Sequence, residues 1–398
     1  MLTISNKGKL MPESPIRKLV PFAEKAKKNG VKVFHLNIGQ PDIETPNSAI
    51  EAVKNSDIKV LAYSKSEGDL ELRNKICNYY SNLNIQLNSS EVIVTSGASE
   101  ALLFTIGSVM DPSDEIIIPE PFYANYNGFS VANGVNIVPI QSNIENNFKL
   151  PEIEEFESLI TKKTKGILIC NPNNPTGYVY SKDEIKTLVK IVKKHNLFLI
   201  ADEVYREFTY ENTHHTSILE FNEIQKNAIV IDSVSKRYSM CGARIGCIIS
   251  KNNEFISTAM KFAQARLSPP TLAQIASTAA MDTGKDYFDS VIDEYNERRK
   301  TLIKGLNEIA GVKVSEPKGA FYCVVELPVK NSENFAKWLL EDYSLNNETI
   351  MVAPAAGFYS TQNIGENQIR IAYVLNQSDL VTCVNILKNG LMEYLKND

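Results

Sequence analysis

The chain has 398 residues, 43% of them hydrophobic and 22% charged, with 42 basic against 47 acidic side chains and a formal net charge of -5. That length carries about two domains of ordinary size, and the mix is that of a soluble globular protein. The mildly acidic balance argues against a nucleic-acid or anionic-membrane partner. Residues 1–10 hold no long apolar run, so neither a signal peptide nor a spanning helix is expected, and the expected location is cytoplasmic. The six cysteines, at 77, 170, 241, 247, 323 and 383, form no C-x-x-C pair. They read as reduced thiols rather than disulfides or metal ligands, and no metal is expected. The adjacent pair His214-His215 falls in a polar loop and reads as solvated.

Ser14 is placed to cap a helix over Pro15–Asn29, with Pro15 first and Ile16, Leu19, Val20 and Ala23 on one face. Val31–Asn37 reads as a short strand, followed by Ile38-Gly39-Gln40-Pro41-Asp42, where Gly39 permits a ligand to approach the backbone closely. Tyr63 opens a loop that leads through Gly68 to a helix at Leu70. Glu91–Thr95 is a strand, and Ser96-Gly97-Ala98-Ser99-Glu100 starts a helix behind it. Free N–H groups and the helix dipole converge at such a start and favour an anion. No G-x-G-x-x-G stands there, which counts against a Rossmann dehydrogenase. The strand Glu115–Pro119 runs into Pro121-Phe122-Tyr123-Ala124-Asn125-Tyr126. Gly166–Cys170 ends in Asn171-Pro172-Asn173-Asn174-Pro175-Thr176-Gly177, a turn stiffened by two prolines and a glycine.

A capping box, Ser181 to Glu184, begins a helix with Ile185, Leu188, Val189 and Val192 on one face. Leu197–Ala201 is a strand with Asp202-Glu203-Val204-Tyr205 at its carboxyl end. Ala228–Ile231 is another, and Ser233-Val234-Ser235-Lys236 lies just past it, where open α/β sheets place ligands. Arg244 follows eight residues after Lys236, between Gly242 and Gly246. A lysine beside hydroxyls and an arginine suits an imine-forming amine whose partner carries a phosphate, since a neighbouring cation favours a neutral, nucleophilic amine. A surface loop with ordinary charges is the plain alternative. Strands alternating with helices from about 90 to 250 imply a mostly parallel sheet covered on both faces. Arg266, in Ala265–Pro270, reads as a surface arginine rather than a reader of an acidic substrate. Asp286–Ile309 is a long charged helix crossing between domains. Strands near 320–327, 349–353 and 369–374 build a smaller α+β lobe, which the N-terminal helix joins. Arg370 stands inside the apolar strand Ile369–Tyr373. Buried there unpaired it would be costly, so it needs a structural ion pair or an anionic ligand.

Taken together these strings resemble the motifs of class I and II aminotransferases, the aspartate aminotransferase-like members of the fold type I pyridoxal-phosphate enzymes. The matching strings are L-x-x-G-x-P-D from Leu36, Y-x-x-x-x-G-x-x-x-L-R from Tyr63, S-G-x-x-E-A from Ser96 and P-x-Y-x-x-Y from Pro121. N-P-x-N-P-T-G from Asn171, D-E-x-Y from Asp202 and S-x-S-K-x-x-x-x-x-G-x-R-x-G from Ser233 continue the series, which runs in order from about residue 14 to 375. The resemblance implies an α/β fold: a large domain with a mostly parallel seven-stranded sheet between helices, and a smaller α+β domain. The implied boundaries are an N-terminal arm and helix over 1–45, a large cofactor domain over 46–285 and a small domain over 286–398.

The implied cofactor is pyridoxal 5'-phosphate. Lys236 would hold it covalently and move the substrate's proton. Asp202 would face the ring nitrogen, Tyr205 and Asn174 the phenolic oxygen, and Tyr123 the ring face. Gly97, Ala98, Ser99, Ser233, Ser235 and Arg244 would hold the phosphate, with Tyr63 supplied by the neighbouring subunit. Gly39, Asn174 and Arg370 would bind the substrate, Arg370 through its α-carboxylate. The implied partners are an L-amino acid, a 2-oxo acid and a second copy of the chain. The implied reaction is transamination, leaning to aspartate and 2-oxoglutarate, with C–S β-elimination or another fold type I reaction, such as decarboxylation, at the same site as the alternative.

Overall fold

The computed structural model describes residues 2–397. Its strands in chain order are β1 (Lys32–His35), β2 (Val92–Thr95), β3 (Glu115–Glu120), β4 (Asn136–Gln141), β5 (Thr164–Cys170), β6 (Phe198–Asp202), β7 (Ala228–Ser233), β8 (Gly246–Ile249), β9 (Lys313–Val314), β10 (Tyr322–Glu326), β11 (Glu348–Met351), β12 (Ala353–Pro354) and β13 (Gln368–Ala372). Seven of them form the large sheet in the order β2-β8-β7-β6-β5-β3-β4. All neighbours are parallel except β8, which runs antiparallel to both β2 and β7.

This sheet is apolar on both faces because successive side chains of a strand point to opposite sides. Ile229 and Ile231 join one core cluster with Ile116, Leu168 and Ile200, while Ala228 and Val230 join the other with Ile117, Ile167 and Leu199. A near-continuous run of β-branched residues is therefore what a sheet covered by helices on both sides requires. The helix Lys182–His195 covers one face. Ser181 caps it through its side chain and Glu184 completes the capping box.

The second lobe is an antiparallel sheet of order β12-β13-β10-β9, beside a two-stranded parallel pair, β1 with β11. The N-terminal helix packs on the helix Ser332–Glu341 of this lobe. The long helix Lys285–Asn307 is pinned by two adjacent arginines in its second half: Arg298 pairs with Asp42 at 2.6 Å and Arg299 donates to the Pro317 carbonyl at 3.0 Å.

Two expectations shift. The N-terminal helix starts at Val20, not Pro15, and ends at Lys28; residues 15–19 are turns. Pro21 has no N–H to donate to the Arg17 carbonyl, so the uninterrupted series of helical bonds begins with the Ala23 amide on Leu19. Ser14 serves through its carbonyl, which accepts the Arg17 and Lys18 amides, rather than as a side-chain cap. The pair His214-His215 also splits. His214 is exposed, but the His215 side chain is buried, with Nε2 3.7 Å from Glu203 Oε2. Burial, then the Arg206 charge, hold its pKa well below the ordinary histidine value. The run of loop residues on either side carries no periodicity that marks a buried imidazole.

Candidate active site

Parallel strands that start in register also end together. Cys170 of β5 pairs with Asp202 of β6, and Asp202 pairs with Ile231 of β7, two residues before Ser233. The Asn171–Gly177 turn, the Asp202–Tyr205 segment and the lysine loop therefore leave one edge of the sheet side by side. On the other side of β7, Gly246 pairs with both Ser233 and Thr95, which brings the start of the helix Ala98–Val109 to the same edge. A Cβ at Gly246 would crowd the Ala98 amide and the Gly97 backbone, so the glycine allows this close approach.

These segments and the small lobe enclose a cavity of about 580 Å³. It is lined by Gly39, Ala98, Ser99, Tyr123, Asn174, Asp202, Tyr205, Ser233, Ser235, Lys236, Arg244 and Arg370, all expected from the sequence. Gly97 stands directly behind, with φ 81°, and a Cβ there would overlap the Arg244 guanidinium. Tyr63 is not brought in: it is 79% exposed on a loop outside the cavity. The cavity also has lining residues that sequence reasoning did not assign, among them Ser14, Arg17, Gln40, Cys241 and Tyr322.

The Lys236 amine donates to the Gly39 carbonyl at 2.6 Å and lies 3.7 Å from Cys241 Sγ. Asp202 is buried. Its Oδ2 accepts the Tyr126 hydroxyl at 2.8 Å, while Oδ1 has no partner. Burial pushes its carboxyl up to about 6, against the Tyr126 hydrogen bond. The sequence marks Tyr126 only as part of a motif; its place as the clamp on Asp202 depends on a contact across 76 residues. Tyr205 shares a 2.8 Å hydrogen bond with Tyr322, and burial raises its hydroxyl well above the ordinary tyrosine value. Burial likewise raises Tyr123 to about 12. The Ser233 hydroxyl donates to the Ile245 carbonyl at 2.7 Å and accepts the Ser235 amide at 3.1 Å. It closes the turn and leaves Ser235, with Oγ 2.9 Å away, as the freer hydroxyl. Arg244 is exposed in the single chain, with Nη1 on the Cys241 carbonyl at 3.0 Å.

Arg370 settles one alternative. It is 1% exposed, opposite Val324 in the small sheet, and its nearest hydrogen-bond partners are neutral: Asn174 Oδ1 at 3.0 Å and the Asn37 carbonyl. Its guanidinium lies 4.5 Å from the Tyr322 ring centroid and 4.9 Å from that of Phe358. Nε has no partner, and no carboxylate pairs with it among the described residues. A structural ion pair is thus excluded, and burial lowers its pKa. Arg266 turns out to be neither exposed nor in the cavity. It donates to the Ser66 and Val94 carbonyls at 3.2 Å and lies 3.5 Å from Glu100, where it ties the Tyr63 loop to β2.

The sequence profile described as "Aminotransferase class I and II" matches residues 31–387. The chain belongs to the class I and II aminotransferases. An aspartate aminotransferase of Pyrococcus horikoshii is 32% identical over 98% of this chain and 97% of its own. A probable aspartate aminotransferase of Methanocaldococcus jannaschii is 32% identical over 97% and 99%. Among solved structures, the aspartate aminotransferase of Thermotoga maritima superposes with a TM-score of 0.89 at 28% identity, covering 98% of this chain and all of that one. The alanine aminotransferase of Pyrococcus furiosus does so at 0.89 and 29%, with the same coverage.

This aminotransferase is accordingly a pyridoxal-phosphate enzyme of fold type I, acting on an amino acid and a 2-oxo acid. The residues present fit that cofactor. A buried polar atom without a partner calls for one, and the aminotransferase cavity holds two, on Asp202 and Arg370. One is an acceptor suited to a protonated ring nitrogen, the other a donor suited to a carboxylate. The same cavity holds an amine, Lys236, and a helix start flanked by Arg244. All six cysteines are free, no metal-binding group of side chains occurs and no helix is long and apolar enough to cross a membrane, among the described residues.

Proposed function

We propose that the enzyme transfers the amino group of aspartate to 2-oxoglutarate, with Lys236 as its proton carrier and Arg370 as the grip on the substrate's α-carboxylate. The observation that carries this reading is the buried Arg370 guanidinium, without a carboxylate partner, in one cavity with the Lys236 amine. The aspartate aminotransferases among its relatives support the choice of donor.

When bound, pyridoxal phosphate supplies an aldehyde carbon for amine condensation and a protonated ring that accepts the electron pair left at the substrate's Cα. The protein residues do the rest. Arg370 holds the carboxylate in a planar fork, with Asn174 fixing one side of that fork. Lys236 Nζ would take the proton from the substrate's Cα as base and give it up again as acid. Asp202, oriented by Tyr126, would keep the ring nitrogen protonated. Tyr205 and Asn174 would hold the phenolic oxygen and Tyr123 would pack on the ring. Ala98, Ser99, Ser235 and Arg244 hold the phosphate, backed by Gly97 and Ser233. Gly39 shapes the substrate's side of the cavity.

The same reading assigns 1–45 to an arm and helix of the small domain, 46–285 to the large domain and 286–398 to the small domain. It also assigns a homodimer, with Tyr63 reaching the partner's phosphate site. Val60, Leu61 and Tyr63 on one loop, with Leu267 and Leu272 nearby in sequence to its tether, are exposed apolar side chains that support such a contact. Free thiols at every cysteine support a cytoplasmic location.

Lys236→Ala tests the central assignment. It is expected to abolish conversion of aspartate and 2-oxoglutarate to oxaloacetate and glutamate, a loss of at least about 10⁴-fold for removal of the proton carrier. A variant that still turns over within tenfold of the parent removes Lys236 from the mechanism.

A further inference from the structure

The cavity carries four basic side chains, Arg17, Lys236, Arg244 and Arg370, against one carboxylate, Asp202. The proposed function uses three of the cations: one for the proton, one for the phosphate and one for the α-carboxylate. Arg17 is left over. It is exposed at the cavity wall and has no side-chain hydrogen bond or ion pair among the described residues. This sets it apart from the other arginines near the site: Arg266 is spent on carbonyls and Glu100, and Arg298 on Asp42.

We infer that Arg17 is the specificity-determining residue that reads the side-chain carboxylate of a dicarboxylic amino acid, from within the same chain. The inference rests on the acidic-donor reading above and names the group that carries it.

The backbone that presents Arg17 is fixed relative to Arg370. The Asn37 side chain donates to the Ile16 carbonyl at 2.8 Å, and the Asn37 carbonyl accepts Arg370 Nη2. One buried asparagine thus ties the backbone next to Arg17 to the Arg370 guanidinium, so that both arginines serve one cavity, as recognition of a molecule with two carboxylates requires. Ile16, Ile38 and Gln40 line the same wall, which gives a short aliphatic stem an apolar side to pass and one amide to meet. Ser14 stands beside them, and its carbonyl holds the Arg17 amide at 3.1 Å. A neutral donor such as alanine leaves Arg17 to solvent and neither gains nor loses by it. An acidic donor gains a charge-assisted contact at the half-closed mouth of a cavity, where screening is weaker than on an open surface.

The test uses the holoenzyme and the donor half-reaction alone, followed by the cofactor's absorbance, because 2-oxoglutarate is itself dicarboxylic and would confound a coupled assay. The ratio of kcat/KM for aspartate to that for alanine is expected to fall on the order of 30-fold in Arg17→Ala and by less than half of that, on a logarithmic scale, in Arg17→Lys. Binding of succinate, an unreactive dicarboxylate, is expected to weaken by a similar factor in a calorimetric titration. An unchanged ratio, whether both donors are lost together or neither is affected, overturns the assignment and points to a residue of the second subunit. A parent enzyme that reacts with alanine and not with aspartate sinks the acidic-donor reading itself, and the inference with it.

Discussion

A carboxylate with one oxygen clamped and the other unpartnered is poised to titrate near neutrality. Asp202 has its Oδ2 on Tyr126 and its Oδ1 without a partner, and burial raises its carboxyl from 3.8 to about 6. Between those values the native chain binds a proton that the unfolded chain has released. This group therefore makes the cofactor-free protein less stable as pH rises from about 4 to 6. The cofactor's ring nitrogen needs the charged form, so its binding changes in the opposite direction. We expect the affinity of the cofactor-free enzyme for pyridoxal phosphate to weaken as pH falls through about 6, and Asp202→Asn to flatten that dependence. Tyr126→Phe removes a bond that favours the charged form, so it should move the midpoint upward by on the order of half a unit. Absorbance titrations between pH 5 and 8 decide this, and a midpoint that stays put in Tyr126→Phe removes the clamp from the account.

Strands and turns bring these side chains together, and the closeness has a cost in side-chain tolerance. Gly39 lies against Tyr322 of β10, so that an added Cβ would overlap the Tyr322 hydroxyl, the partner of Tyr205. Overpacking of this kind displaces a neighbour at a cost of about 1–3 kcal/mol. Gly39→Ala should push Tyr322 away from Tyr205 and shift the Gly39 carbonyl on which Lys236 rests. A drop of roughly 10- to 100-fold in kcat/KM is the expected outcome, since small misplacements at a reacting centre are expensive. Parent-like kinetics in this variant would show that the loop gives way freely.

Most elements were legible because their patterns are local. Continuous apolar runs with turn residues behind them mark β2, β3, β5, β6 and β7, and the capping box marks the helix Lys182–His195. Two strands of the large sheet escaped that reading. β4 is an edge strand, mostly half-buried, with Pro139 in the middle, and such a strand lacks the apolar continuity of its neighbours. β8 lies directly after the lysine loop and pairs antiparallel on both sides, an arrangement set by its partners.

At the scale of the molecule, the loop carrying Val60, Leu61 and Tyr63 exposes three large apolar side chains. If Tyr63 serves the second subunit, two defective chains can repair each other. Tyr63→Ala should lower activity at least tenfold, and Lys236→Ala should have none. In a one-to-one exchanged mixture half the dimers pair an intact lysine with an intact tyrosine at one of two sites, so recovery of about a quarter of parental activity is expected. Sedimentation at low concentration should show a dimer in the same samples. A mixture no more active than Tyr63→Ala alone would mean that each chain is self-sufficient.

The sequence by itself determined the strand-and-helix order and the motifs at the strand ends, because backbone period and turn chemistry act over a few residues. The same patterns put Asp202 and Lys236 at the carboxyl ends of neighbouring strands, whereas it is the resemblance to the aminotransferase motifs that adds Arg370 from the small sheet. Tertiary structure alone decided that Arg370 has no carboxylate partner, that Tyr126 holds Asp202, that His215 is buried beside Glu203, and that Arg17 faces the cavity. Each of those depends on what lies opposite a side chain from a distant part of the chain. Burial and pairing are properties of such neighbours, and no local pattern encodes them.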